Sequence, residues 1–317
     1  MTVMNVDAEI LSRAEGCLLG QLAGDSLGGL VEFKTPSEIH RRYPNGVREL
    51  ADGGTWNTIA GQPTDDSEMA LMLARMLVEE RQYDAEQARK AYVFWLNSQP
   101  FDCGTTVSAG LRGQPNPDSQ ANGALMRISP LGIFCWSRDL ESTSRFAKQD
   151  AALTHPHPVC LQANALFAMS IAQLISGSKN PKETYEDIKV WATELKVERT
   201  LMKAILDAPG SVPADYVQQQ GWVIIAFQNA LWQLVNAPSL EEGVVDTVMR
   251  GGDTDTNAAI AGALLGAVYG RHAVPRQWVE KILSCRPKAG EPCVRRPRPE
   301  CFWPVDAPEL ARSLLRA

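Results

Sequence analysis

Two stretches of this chain concentrate hard oxygen ligands at spacings that suit chemistry. In Gly251-Gly252-Asp253-Thr254-Asp255-Thr256-Asn257 two carboxylates sit two residues apart behind a glycine pair that frees the backbone, with hydroxyls and an amide among them. The second stretch, Thr64-Asp65-Asp66-Ser67-Glu68, opens a pattern in which Met69, Met72, Leu73, Met76 and Leu77 share one helical face. Either one alone reads equally well as caps and dipole partners of a helix start. Together they gather negative charge, with scarcely any Lys or Arg close by in the chain, and a divalent cation would offset it. Carboxylate, hydroxyl and water ligands suit Mg²⁺ or Mn²⁺ better than zinc. Four Asp side chains leave room for two ions, roughly 3.5–4 Å apart if they act as a pair on one substrate.

The elements that must position these groups are helical. Apolar side chains recur at helical intervals over 7–24, with Ala14, Gly16, Gly20, Ala23 and Gly24 between them, which suits close helix contact. The run Ala258 to Gly270 has the same small-residue character, and its helix is predicted to begin at Asn257. Residues 30–63 read as a long irregular loop, relieved by a short helix that the box Thr35-Pro36-Ser37-Glu38 announces. A loop of that length usually serves a site. Further helices are expected from Thr64, from Asp84, and over 139–153, 159–175, 181–195, 197–207, 221–235, 240–249 and 275–283. Strict alternation is scarce, so the fold class is all-α.

A chain of 317 residues with 44% hydrophobic and 21% charged residues is an ordinary globular protein with an ample core. One domain is expected over 1–284, followed by a Pro- and Arg-rich extension over 285–317 that lies over the surface, with Phe302 and Trp303 as anchors. A formal charge of −6 argues against nucleic-acid partners. Seven scattered Cys residues suggest reduced thiols and a cytoplasmic location; Cys285, Cys293 and Cys301 recur evenly but lack a fourth ligand for zinc. The N-terminus shows no signal-peptide pattern. The most apolar runs, 159–175 and 222–235, are interrupted by Gln and Asn and read as core helices, with no membrane partner.

Seven blocks in order make the chain resemble the ADP-ribosylglycohydrolases, the group that includes dinitrogenase reductase-activating glycohydrolase and the ADP-ribosylarginine hydrolases. They are Gly16-Cys17-Leu18-Leu19-Gly20 with Ala23-Gly24-Asp25-Ser26-Leu27-Gly28, Glu32-Phe33, Thr64-Asp65-Asp66, Asp102-Cys103-Gly104, Asn122 to Arg127, Thr154-His155, and Gly251 to Thr256. The resemblance implies a single compact orthogonal helical bundle with a binuclear Mg²⁺ or Mn²⁺ centre that cleaves the bond between the distal ribose of ADP-ribose and a modified group. It implies Thr64, Asp65, Asp66, Asp253, Asp255 and Thr256 as metal ligands. Glu32 and Asp102 become the catalytic carboxylates, Glu32 for proton transfer and Asp102 near the distal ribose. Gly104, Asn122, Gly123, Ala124, Leu125 and His155 become substrate-binding residues, with Asn122 to Leu125 as a loop around the ADP portion whose backbone donors, at a helix start, suit a diphosphate. Thr105 departs from the nitrogenase-regulating members, which carry Asn there.

The expected activity is thus removal of ADP-ribose from a modified protein, with arginine the first choice of linkage and a cognate ADP-ribosyltransferase a conceivable partner. Other readings are an O-linked ADP-ribose substrate, a non-hydrolytic binder of ADP-ribose or of a transferase, including a toxin-immunity role, and a binuclear phosphatase. Glycosidic cleavage builds positive charge on the ribose carbon and needs a carboxylate to manage a proton. Without the resemblance, a lone Glu32 in a loop reads as solvated, Asn122-Gly123-Ala124 as a plain turn, and His155 before Pro156 as an exposed turn residue.

Overall fold

In the computed structural model, which describes residues 6–317, the helical periodicities become fifteen α-helices and two short 3-10 turns. The chain begins with α1 (Ala8–Gly28), α2 (Pro36–Arg42), α3 (Asp65–Glu80), α4 (Ala85–Asn97) and α5 (Thr105–Leu111). Then come α6 (Ser129–Phe134), α7 (Leu140–Ala152), α8 (Pro158–Ser176), α9 (Pro181–Glu194) and α10 (Arg199–Asp207). The last are α11 (Val223–Asn236), α12 (Leu240–Met249), α13 (Thr254–Tyr269), α14 (Arg276–Ser284) and α15 (Ala307–Leu314). Among the described residues there is no strand, only the isolated bridges Gly53 to Thr58 and Ala121 to Trp222. The all-α expectation therefore holds. Residues 1–5, which open the expected 1–284 domain, lie outside the described residues.

The organising contact is the antiparallel pair α1 and α13. Gly16, Gly20, Gly24 and Gly28 fall every four residues along α1 and face Gly266, Gly262, Ala258 and Asp255 in reverse order. A Cβ on Gly20 would run into the Gly262 carbonyl, and one on Gly28 into the backbone of Asp255. A helical glycine costs roughly 0.5–1 kcal/mol relative to alanine. Those in this pair let two backbones touch, which locks the end of α1 against the start of α13. Every residue of α1 from Ala14 to Gly28 is buried, so the helix is covered on all sides.

The other helices cover this pair, with α8 and α11 inside and α3, α6, α12, α14 and α15 around it. Helix α8 is long and apolar enough to cross a membrane, with a mean hydropathy of 1.5, but 78% of that window is buried, as expected of a core helix.

Three departures matter for the site. Helix α13 starts at Thr254 and not at Asn257, because the Thr254 hydroxyl donates to the Gly28 carbonyl at 2.7 Å and Gly252, with φ of 74°, turns the chain just before it. Asp255 and Thr256 are consequently helical. No helix begins at Asn122; its carbonyl accepts the N–H groups of Leu125 and Met126 in a run of turns. The C-terminal segment is not wholly extended: Phe302 is fully buried as an anchor, and α15 follows, packed on α1, α3 and α6.

Candidate active site

The turn that follows α1 and the starts of α3, α5 and α13 meet around a cavity of about 260 Å³. Helix starts carry partial positive charge and favour carboxylates by roughly 0.3–1 kcal/mol each. Glu32, Asp65, Asp102, Asp253, Asp255 and Thr256 line the cavity, together with Gly104, Asn122, Gly123 and His155. The sequence-predicted residues from six separate segments are thus brought to one place.

Neither N-cap residue uses its side chain to cap its own helix. The Thr64 hydroxyl lies 2.9 Å from both Asp25 Oδ1 and Asp66 Oδ2, although its single proton can serve only one of them. Asp253 Oδ2 accepts from Asn122 Nδ2 at 2.6 Å. The start of α3 is capped instead from α1, where buried Asp25 accepts the Thr64 and Ser67 N–H groups at 3.1 Å each. Burial pushes Asp25 up to about 6 while these hydrogen bonds pull it back. Asp25 is not among the expected site residues, although it stands in the first of the seven blocks that carry the resemblance. Glu68, by contrast, leaves the acidic cluster and pairs with Arg298.

Carboxylate oxygens of Glu32, Asp102 and Asp255 lie within 4.8 Å of one another. Burial pushes Asp65 up to about 7, Glu32 to about 8 and Asp102 to about 9, and neighbouring carboxylates add to each shift. Asp66 and Asp255 rise well above the ordinary range for the same two reasons. Asp66 Oδ1 is buried with no hydrogen-bond partner, an arrangement that costs free energy unless something else fills the role. Crowded hard oxygens, mutual repulsion and an orphaned lone pair fit a divalent cation.

His155 is fully buried, not exposed as a turn histidine would be. Arg127 Nη1 donates to the Thr154 oxygen at 2.9 Å, and since arginine can only donate, the Thr154 hydroxyl proton is free to point at His155 Nδ1, 2.7 Å away. Burial, and then the Arg127 charge, lower the imidazole to about 3, so the ring is neutral. Nε2 is buried beside the cavity without a protein partner, and where the Thr154 proton points at Nδ1 it is Nε2 that carries the ring proton. Asp150 holds Arg127 from the other side at 3.0 Å.

Thr64 and Asp66 sit behind the cavity wall, 2% and 0% exposed. Ala124 and Leu125 are fully buried and do not face the cavity; Met126 does. Sequence reasoning also missed Trp56, whose Nε1–H donates to Glu32 Oε2 at 2.6 Å, and Gln220 with Gly221 on the cavity rim. Nothing in their local pattern marks them.

Known proteins now supply a comparison. The chain is 30% identical over 282 residues to ADP-ribosyl-[dinitrogen reductase] glycohydrolase of Rhodospirillum rubrum, an alignment covering 85% of this chain and 90% of that one. It is 26% identical over 295 residues to an ADP-ribosylarginine hydrolase of Serratia proteamaculans, covering 88% of this chain and 77% of the relative. A solved structure described as an ADP-ribosylglycohydrolase-related protein complex shares the fold, with a TM-score of 0.78 and 24% identity over 97% of this chain and 98% of that one. The ADP-ribosylglycohydrolase family model matches residues 6–296, and the chain therefore belongs to that family of hydrolases, which act on ADP-ribosylated substrates.

Proposed function

We propose that this protein hydrolyses the N-glycosidic bond between ADP-ribose and an arginine side chain of a modified protein, and that it needs Mg²⁺ or Mn²⁺ to do so. The observation that carries the reading is the convergence of the Glu32, Asp102 and Asp255 carboxylates, within 4.8 Å of one another, in a cavity sized for one sugar. The relative named as an ADP-ribosylarginine hydrolase favours arginine as the linkage, and the one named for dinitrogen reductase favours a modified protein as the substrate.

Thr64, Asp65, Asp66, Asp253, Asp255 and Thr256 would hold the cations. When bound, these supply charge that offsets the carboxylates and Lewis acidity toward sugar and water oxygens. Cleavage breaks the bond from the ribose carbon to the guanidine nitrogen, which keeps the electron pair, while a water oxygen bonds to the carbon. Glu32, a carboxylate once cations offset its neighbours, takes the proton that the water loses and passes a proton to the guanidine nitrogen as it leaves, so the step balances. The surrounding negative groups favour the positive charge that develops on the ribose carbon. Asp102 holds the ribose hydroxyls, and His155 Nε2–H donates to an oxygen of the bound nucleotide. Past Ala121, Gln220 and Gly221 the cavity continues into an open groove of about 450 Å³ beside Gln120 and Trp222, room for the ADP portion.

The test is incubation with arginine-, serine- and acetyl-linked ADP-ribose, with and without each metal, and mass analysis of products. Free ADP-ribose from the arginine substrate, in the presence of metal only, is expected. Release from the serine or acetyl substrate alone would move the reading to O-linked bonds. AMP with ribose phosphate would make it a diphosphatase, and no product at all a binding protein.

A further inference from the structure

The C-terminal extension reaches the two loops that carry Glu32 and Asp102. Arg298, 6% exposed, forms a two-pronged ion pair with Glu68 of α3, Nε to Oε1 at 2.8 Å and Nη2 to Oε2 at 2.7 Å. It also donates to the Ser98 carbonyl at 3.1 Å and lies 4.6 Å over the Phe302 ring. A desolvated pair of this geometry has little freedom, so it fixes the segment in place.

Two residues upstream, Arg296 donates from Nε to the Trp56 carbonyl at 2.9 Å and stands 5.9 Å over the Phe101 ring. Gln62 Nε2 in turn donates to the Arg296 carbonyl at 2.6 Å. The Trp56 and Phe101 rings meet at 6.1 Å between centroids, tilted by 51°. Trp56 holds Glu32 by the 2.6 Å hydrogen bond, and Phe101 directly precedes Asp102.

Glu32 needs such a hold. It lies beyond the end of α1 in a turn, and Asp102 and Asp253 repel it. The Trp56 N–H is a fixed donor that keeps its carboxylate directed inward. Trp56 is itself only half-buried in a loop without regular structure, so its ring needs an outside support. An arginine can donate to the backbone and stack on the neighbouring ring at once, which a lysine cannot do equally.

We infer that Arg296, Trp56 and Phe101 form a clasp that orients the Glu32 carboxylate, and that Arg296 is a positioning residue that acts through Trp56. Its part in turnover rests on the glycohydrolase reading; the clasp itself does not.

The test reads the indole N–H resonances of the eight tryptophans in the ¹H–¹⁵N spectrum, that of Trp56 being identified by its loss in Trp56→Phe. Donation to a carboxylate should place it downfield. Arg296→Ala should move or broaden it, and Arg296→Lys should move it less. On arginine-linked ADP-ribose, Arg296→Ala should lower kcat on the order of tenfold, the scale of a small misplacement, with KM and Tm unchanged. Added to Trp56→Phe, it should cost nothing further. An indole resonance that ignores Arg296→Ala overturns the clasp whatever the activity. So does a loss of kcat that simply adds to that of Trp56→Phe. A wild-type protein that cleaves no ADP-ribosyl substrate would sink the glycohydrolase reading, and the indole spectrum would still decide the clasp.

Discussion

Glu32 and Asp102 are both carboxylates raised by burial and by like charges, yet their surroundings differ. Glu32 receives an indole N–H at 2.6 Å and borders Asp255, whereas Asp102 sits beside Asp65 at the start of α5. Glu32 is therefore the better proton carrier, and Glu32→Gln should lower kcat by about 10²–10⁴-fold while ADP-ribose affinity stays the same. Turnover at the normal rate would leave Asp102 as the carrier. A second prediction concerns Gly123, where a Cβ would meet Val107 Cγ2 at 2.8 Å and His155 Nε2 at 3.3 Å. Gly123→Val should push the imidazole aside and weaken ADP-ribose binding measured by calorimetry; an unchanged affinity would remove His155 from the binding site. Residues of this kind differ in how legible they are. Asp65, Asp66, Asp253 and Asp255 announce themselves because carboxylates bunch at two helix starts. Asp25 and Trp56 do not, since each is a single polar group whose partner comes from elsewhere in the chain. Glu68 misleads for the same reason: its neutralising Arg298 is 230 residues away.

At the scale of elements, the small-residue stripes of α1 and α13 could be read from the sequence as surfaces for close helix contact, though not as partners of each other. Pairing needs the antiparallel register that sets Gly20 against Gly262 and Gly28 against Asp255. That register is also what delivers Asp255 to the cavity. Gly20→Ala would force the two backbones apart, so it should destabilise by about 1–3 kcal/mol, the usual cost of overpacking. It should also depress activity at temperatures where the protein remains folded. Gly210→Ala, where the nearest atom to the added carbon is 4.0 Å away, should stay within about 0.5 kcal/mol. Urea unfolding of both variants checks this, and equal stability would mean that the α1 and α13 contact is not the frame of the site. The long helices were legible because periodicity accumulates over several turns. Helices α5, α6 and α15 were not, having 7, 6 and 8 residues, too few to establish a period.

For the whole molecule, the acidic centre links fold stability to pH and, through the proposed cation, to metal. Glu32 rises to about 8 and Asp102 to about 9, with Asp66 and Asp255 raised as well, against about 4 for such groups in an unfolded chain. A carboxyl with a raised folded pKa holds its proton more tightly in the fold. Between about pH 4 and pH 9 the folded chain thus binds more protons than the unfolded one, and these groups make stability fall as pH rises. At low pH they are protonated in both states and exact no penalty. A divalent cation competes with those protons, so it should bind more tightly at high pH and restore what deprotonation removes. At a hundred times its Kd, a cation that binds only the folded state adds about 2.7 kcal/mol. Chelator-treated protein should therefore show a lower Tm at pH 8.5 than at pH 6, and Mg²⁺ or Mn²⁺ should raise Tm by more at pH 8.5. Asp255→Asn, which removes one of the repelling charges and one ligand, should flatten both trends. A Tm of chelator-treated protein that climbs over this range, or a metal effect that is the same at both pH values, would mean that the carboxylates are not held together by a cation.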